Sequence, residues 1–343
     1  MFRLFDKVEN DEVYVIAEMS ANHGGSLDNA LKLVREAALA GADCVKTQTY
    51  TADTLTLDCD GEHFRLKGGL WDGKRLYDLY SAALTPWEWQ SEIRSECERQ
   101  GIDFFSSPFD RTAVDFLEGI GCEAYKIASF ELVDIPLIRC AASTGKPVIM
   151  STGMATEEEI GKAVQTCIDA GNHRIAILKC LSEYPADPSA MNLRTIPHMM
   201  DTFHIPVGLS DHSPGSVSDV AAVALGARVI EKHLMLPGVE SADSAFSMSP
   251  EEFSRMVSDV RTAVKALGRV SYGCSGKETT ELRRSLFASR DIKKGELFTE
   301  ENVKSVRPSC GLPPECMDQL INKAARRDIP FGAPLEKGDL EGL

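Results

Sequence analysis

Eight short runs of β-branched and aromatic residues recur along most of the chain, separated by stretches whose apolar residues fall every three or four positions. They are residues 13–20 (VYVIAEMS), 44–50 (CVKTQTY), 103–109 (DFFSSPF), 124–129 (AYKIAS), 147–152 (PVIMST), 175–180 (IAILKC), 206–212 (PVGLSDH) and 228–234 (RVIEKHL). A strand followed by an amphipathic helix is the unit of a parallel sheet, because parallel neighbours need a long crossover and a helix supplies it. Eight units, in roughly the 250 residues such folds use, predict an α/β fold: a (β/α)8 TIM barrel. An open doubly wound sheet competes, but it usually carries a glycine-rich phosphate turn after its first strand. EMSANHGGS does not match GxGxxG.

Within the units, Ser26 is placed to cap one helix and Thr156 another whose first turn is acidic, as the helix dipole favours. Residues 51–84 form a long insertion after the second strand, of the kind that covers the mouth of a barrel. Beyond Gly268 the chain turns rich in Gly, Ser and charge. The barrel is therefore assigned to 1–267, a linker to 268–284, and a small domain of short strands to 285–343, too short to hold a large core unaided.

Hydrophobic residues make up 43% of the chain, enough for a sizeable core, while a net charge of −15 argues against nucleic-acid and anionic-membrane partners. No apolar run approaches the roughly 18 to 20 residues of a spanning helix, and the N-terminus lacks a signal-peptide core, so a cytoplasmic location is expected. The ten cysteines form no CxxC pair and read as reduced thiols.

In a barrel of this kind the C-terminal strand ends carry the chemistry. Every predicted strand has polar residues there: Glu18; Lys46 and Gln48; Ser106 and Ser107; Lys126 and Ser129; Ser151 and Thr152; Lys179; Asp211 and His212; Glu231 and His233. Any one could be a satisfied buried polar group. Eight together point to a shared anion site, since unpaired buried charge is costly. His212 and His233 end neighbouring strands and, with Glu18 next around the closed barrel, form a 2-His-1-carboxylate set suited to a divalent metal. Lys46 and Lys126, with hydroxyls between them, suit a phosphate and a carboxylate. Spacing alone leaves open a Schiff-base aldolase with Lys126 or Lys179 as nucleophile. His63, His173, His198 and His204 read as surface groups, and His23 either lines the mouth or supports it.

The motifs IAEMSANHGGS, VKTQTY, SSPFD, YKIASFE, MSTGMAT, GLSDHS and EKH, followed by SLFASRDIKKGE, span essentially the whole chain. Together they resemble the sialic acid synthase family, the phosphoenolpyruvate-dependent synthases of nonulosonic acids, with an antifreeze-like SAF domain of β-clip type at the C-terminus. WDGKRLYDLYSAALTPWEW and EMSANH are most similar to the branch that makes pseudaminic acid. The resemblance implies condensation of phosphoenolpyruvate with an open-chain acetamido-deoxyhexose by C–O cleavage, through an oxocarbenium-like centre and a tetrahedral intermediate that expels phosphate. It implies that His212 and His233 hold a divalent ion, Mn2+ ahead of Mg2+ or Co2+, that polarises the aldehyde. Glu18 then orients water or accepts a proton.

By the same resemblance Lys46, Ser107, Lys126, Ser129, Ser151, Ser182 and Ser210 bind the phosphate and carboxylate, while Gln48, Phe130, Glu131, Tyr184 and Asp243 contact the sugar. A domain-swapped homodimer is implied, in which Arg307 of the partner subunit reaches that sugar. Two positions depart from the sialic acid pattern: Phe130 stands where Gly is typical and Ser182 where Asn is typical. Losing the amide removes hydrogen-bonding capacity on the sugar side. A deoxysugar with a second acetamido group would suit a more apolar wall, for which Phe130 and the region of Trp71, Trp87 and Trp89 are candidates. A legionaminic or N-acetylneuraminic acid synthase, and an inactive scaffold, are the other readings.

Overall fold

A computed structural model describes residues 2–273 and 280–339. Strands β1 (Tyr14–Glu18), β2 (Cys44–Thr49), β3 (Asp103–Pro108), β4 (Tyr125–Ile127), β5 (Val148–Ser151), β6 (Ile175–Cys180), β7 (Val207–Asp211) and β8 (Val229–His233) each lie within a predicted run. They pair in chain order, all parallel, and β8 closes on β1 with Tyr14 opposite Val229 and Glu18 opposite His233. Interior side chains cover one face and helices the other, so the strands are buried on both sides, and their near-continuous apolar runs follow from that.

The caps fall where the sequence places them. Ser26 accepts from the Asn29 N–H at the start of Leu27–Leu39, and Thr156 forms a reciprocal box with Glu159 on Glu157–Asp169. At the N-terminal end of the strands Phe2 packs on Tyr14 and Phe105, with ring centroids 5.6 and 5.5 Å away, and closes the barrel floor. The insertion carries short helices Ala52–Leu55 and Leu76–Ala83, and its Trp71 ring lies 5.8 Å from that of Tyr184, in the loop after β6. It therefore reaches across the C-terminal face of the barrel.

Residues up to Gly268 form one compact unit, and those from Arg269 onward a second. Residues 274–279, within the expected linker and including Cys274, lie outside the described residues. The second unit pairs β9 (Ser285–Ala288) antiparallel with β10 (Val303–Val306) around a small core of its own that includes Leu286, Phe298, Val303, Leu320, Ile329 and Leu335. The nine described cysteines are free thiols. No helix among the described residues is long and apolar enough to cross a membrane.

Candidate active site

Side chains of a strand alternate between barrel interior and helix layer, so register decides which polar residues meet. On the interior side, at the C-terminal ends, Lys46 Nζ lies 3.0 Å from Glu18 Oε2 and 3.3 Å from Glu231 Oε1. Lys126 Nζ lies 3.7 Å from Glu231 Oε2 and donates to Ser151 Oγ at 2.6 Å. Ser210 Oγ donates to Glu231 Oε1 at 2.9 Å, and Gln48 Nε2 donates to Glu18 Oε1 and Ser20 Oγ, both at 3.0 Å. All four charged groups are buried. Ser107 Oγ is buried nearby without a hydrogen-bond partner.

The two cations and two carboxylates compensate one another's burial, and their proton affinities show the strain. Burial brings the Lys126 ammonium down to about 8, outweighing the attraction of Glu231. Burial works the same way on Lys46, but Glu18 and Glu231 outweigh it and push that group up to about 12. Burial would raise Glu231, yet Lys126 and Lys46 hold it at about 2. Glu18 moves the other way, raised by burial beyond what Lys46 can offset, with Glu231 adding to the rise. Burial also lifts Glu131, in the turn after β4, to about 7, and its Oε2 has no hydrogen-bond partner. One face thus offers a fixed cation, a cation that titrates near neutrality, and carboxyls that can hold a proton.

His212, just past the end of β7, and His233, at the end of β8, bring their rings to 5.2 Å between centroids. His212 Nδ1 lies 3.3 Å from the Leu181 carbonyl, which only accepts, and 3.9 Å from Cys180 Sγ, so Nδ1 carries a proton. Burial lowers the ring's pKa, but Cys180 and Glu231 outweigh it and raise it, so a metal on Nε2 would displace a proton there. His233 is held far below its ordinary pKa by burial, with His212 and Lys46 adding to the effect; its Nδ1 is buried without a hydrogen-bond partner, 3.9 Å from Asp243 Oδ2. This donor set fits a divalent ion held through two imidazoles, with its remaining positions left to substrate and solvent. The 2-His-1-carboxylate set expected from spacing does not assemble. Glu18 is engaged by Lys46 and Gln48, and among the described residues no three His, Cys, Asp or Glu side chains gather as a metal cage.

Glu231 sits at the centre of the cluster; the sequence places it among the polar strand ends, but neither spacing nor the resemblance gives it a specific role. The signal was its spacing of two from His233, which places both on the same face of β8. Alternation also removes expected members. Ser106 faces the helix layer, bonded to Thr47 and Thr49. Lys179 is half-buried and donates to its neighbour's carbonyl, Cys180 O, at 2.7 Å, so of the two lysines named for the Schiff-base reading only Lys126 faces the interior.

Ser129 and Ser182 flank Gly153, where a Cβ would come within 2.6 Å of Ser129 Cβ and 2.4 Å of Ser182 Oγ. Glycine there leaves the room that the two serine side chains occupy. Tyr184 stacks edge-on to His212 at 4.5 Å and touches Phe246 and Trp71, forming the apolar wall beside the imidazoles. Phe130, expected in that wall, is 61% exposed. Trp87 packs on Phe116 and Trp89 on His23. His23 is a support: its Nδ1 accepts from the Gly25 N–H and its Nε2 contacts Thr85 Oγ1, while burial drops its pKa to about 4 and keeps the ring neutral. His63, His173, His198 and His204 are exposed. Arg307 lies in the second unit, exposed, and forms no ion pair among the described residues.

The NeuB family profile matches residues 33–272 and that of the SAF domain residues 283–341. Pseudaminic acid synthase of Campylobacter jejuni is 50% identical, covering 96% of this chain and 97% of its own, and that of Helicobacter pylori is 40% identical, covering 95% and 97%. The crystal structure of N-acetylneuraminic acid synthetase from Leptospira borgpetersenii superposes with a TM-score of 0.71 at 31% identity, over 79% of this chain and 90% of that one. The barrel, the C-terminal domain and these likenesses agree: the chain belongs to the NeuB family of phosphoenolpyruvate-using synthases.

Proposed function

We propose that this chain condenses phosphoenolpyruvate with 2,4-diacetamido-2,4,6-trideoxy-L-altropyranose, through C–O cleavage, giving pseudaminic acid and inorganic phosphate. The observation that carries the choice of sugar is the 50% identity to a pseudaminic acid synthase across 96% of the chain. The interior cluster supports the chemistry. Lys46 and Lys126 both lie against Glu231, and Ser151 and Ser210 bond to the same cluster, which supports reading them, with Ser107, Ser129 and Ser182 from the same end of the barrel, as the setting for a phosphate and a carboxylate on one small molecule. Glu231, 3.3 Å from Lys46 Nζ and 3.7 Å from Lys126 Nζ, offsets the repulsion between the two ammonium groups.

A divalent ion on His212 and His233, with Mn2+ favoured and Mg2+ or Co2+ also compatible, would supply Lewis-acid polarisation of the sugar aldehyde. The other tasks fall to side chains of this chain. Glu18, raised by burial and fixed by Gln48, accepts or returns a proton beside the reacting carbons. Asp243, Gln48 and Glu131 present polar groups to the sugar, and Tyr184 with Trp71 gives its deoxy end an apolar wall. In the same reading the active form is a domain-swapped homodimer in which Arg307 of the partner subunit closes the sugar site, consistent with an arginine that is exposed and has no ion pair among the described residues.

The test is phosphate release from phosphoenolpyruvate with Mn2+, run in parallel with the diacetamido-trideoxy-altrose, its gluco-configured relative and N-acetylmannosamine, each with an EDTA control. Release with the altrose alone, abolished by EDTA, is the expected result. Release with another sugar would move the chain to a sister synthase, and silence with all three would leave a scaffold.

A further inference from the structure

The run Glu231-Lys232-His233 places an ammonium between two residues that face the barrel interior. Lys232 must therefore point the opposite way, into the helix layer, and there it is completely buried. Its Nζ lies 2.5 Å from Asp211 Oδ2, donates to the carbonyls of Ser213 at 2.6 Å and Gly215 at 3.0 Å, and lies 3.6 Å from Asp219 Oδ2 on the helix Val217–Ala224. Asp211 in turn accepts from the Ser213 N–H at 2.8 Å and from Ser213 Oγ at 3.0 Å. Asp211 and Lys232 are direct partners in the β7–β8 register, one residue before His212 and His233 respectively.

We propose that Lys232 and Asp211 form a latch on the outer face of β7–β8 that sets the spacing of the two imidazoles, making both positioning residues for the metal. The latch pins the backbone on either side of His212, at Asp211 and Ser213, and ties it across the strand pair to the residue before His233. The rings themselves have few polar tethers: beyond their packing on Tyr184 and Phe246, His212 Nδ1 has the Leu181 carbonyl and, at 3.9 Å, Cys180 Sγ, and His233 Nδ1 has no hydrogen-bond partner among the described residues. Their separation is consequently set by the main chain that carries them. A buried ammonium with four oxygen neighbours is a rigid anchor, because any shift would strand charge without water. The inference rests on the reading of His212 and His233 as the metal-holding pair.

The test is Mn2+ titration of the full-length chain, following free Mn2+ by electron paramagnetic resonance, for the wild type, His233→Ala, Lys232→Met and Asp211→Asn. Asp211→Asn keeps the shape and an acceptor for Lys232, so it serves if Lys232→Met does not fold. The Kd for Mn2+ is expected to rise about tenfold in either latch variant, the lower end of the range for residues that orient metal ligands from behind. Phosphoenolpyruvate binding measured by calorimetry should change less than twofold. A fall in melting temperature with Mn2+ affinity within twofold of wild type would overturn the latch and leave a purely structural ion pair. Wild-type and His233→Ala chains that bind Mn2+ equally, or not at all, would overturn the metal reading, and the latch with it.

Discussion

Both ends of the barrel bury charge, but they do so differently. At the N-terminal end Asp103 accepts from the Arg3 N–H and Nε and from the Tyr14 hydroxyl, and Asp43 accepts from the Val15 N–H and Arg261 while pairing with Lys7. The cations there keep contact with solvent, Arg3 and Arg261 with more than a third of their side chains exposed. At the C-terminal end Lys46, Lys126, Glu18 and Glu231 are almost wholly enclosed, and the Ser107 hydroxyl, the His233 Nδ1 and one carboxyl oxygen each of Glu18, Glu131 and Glu231 are left without hydrogen bonds among the described residues. A satisfied network holds a fold; an unsatisfied one at the same depth is prepared for a ligand. The contrast can be tested by breaking each end separately.

The largest effect is expected from His233→Ala, which removes one of the two imidazoles. Phosphate release at moderate Mn2+ should fall by roughly a thousandfold or more, a loss of about 4 kcal/mol in transition-state stabilisation. The melting temperature should hold, because His233 Nδ1 makes no hydrogen bond whose loss could unravel the strand. Turnover near wild type would break the assignment of this end as the active site.

Next in size is Lys126→Met. Losing a buried cation that faces a phosphate or carboxylate should raise KM for phosphoenolpyruvate about a hundredfold, in line with the few kcal/mol of a charge-assisted contact. The wild-type pH profile sharpens the point. Burial brings Lys126 down to about 8, so the ammonium is present below that pH and lost above it. Affinity for phosphoenolpyruvate should fall as pH rises through about 8, and Lys126→Met should lack that limb. A profile that is flat from pH 7 to 9 would show that Lys126 keeps its proton or does not touch the anion.

The matching cut at the N-terminal end is Asp103→Asn. One oxygen acceptor is kept and one lost, which should cost about 1–2 kcal/mol of stability, at the modest end because Arg3 is partly exposed. Thermal melting should register it as a drop of several degrees while kcat/KM stays within twofold. A large loss of activity at unchanged stability would mean that the two ends are coupled through the strands.

The strands could be read in the sequence because a parallel barrel buries them on both faces and leaves unbroken apolar runs with polar tips. Which polar tips meet was less accessible. Ser106 and Ser107 are adjacent, as are Glu231 and Lys232, and in each pair the strand sends one inward and one outward. The choice follows from pairing register, with Ser210 against Glu231 and Asp211 against Lys232, and register is a property of two strands at once. Glu18 shows the other limit. Its place beside His233 was deducible from barrel closure, but its bonds to Lys46 and Gln48 depend on rotamers that spacing does not specify.

The smallest effect is expected where the sequence placed most weight on specificity. Phe130 differs from the glycine typical of sialic acid synthases, and on that ground it was expected to line the sugar. It lies instead in the short turn Ser129–Glu131 with its ring 61% exposed, while Tyr184, Trp71 and Phe246 form the wall against the imidazoles. Phe130→Ala removes the ring without the backbone freedom that Gly would add next to Ser129 and Glu131. Its effect on KM for the sugar should stay within threefold. Ser182→Asn should do more, because Ser182 Oγ already fills the space beside Gly153 and an amide must displace something there. If Phe130→Ala instead changes the order of sugar preference and Ser182→Asn does not, the apolar wall runs through the exposed turn. The contrast between a closed, satisfied end and an open, ligand-ready end would then extend outward to the rim of the mouth.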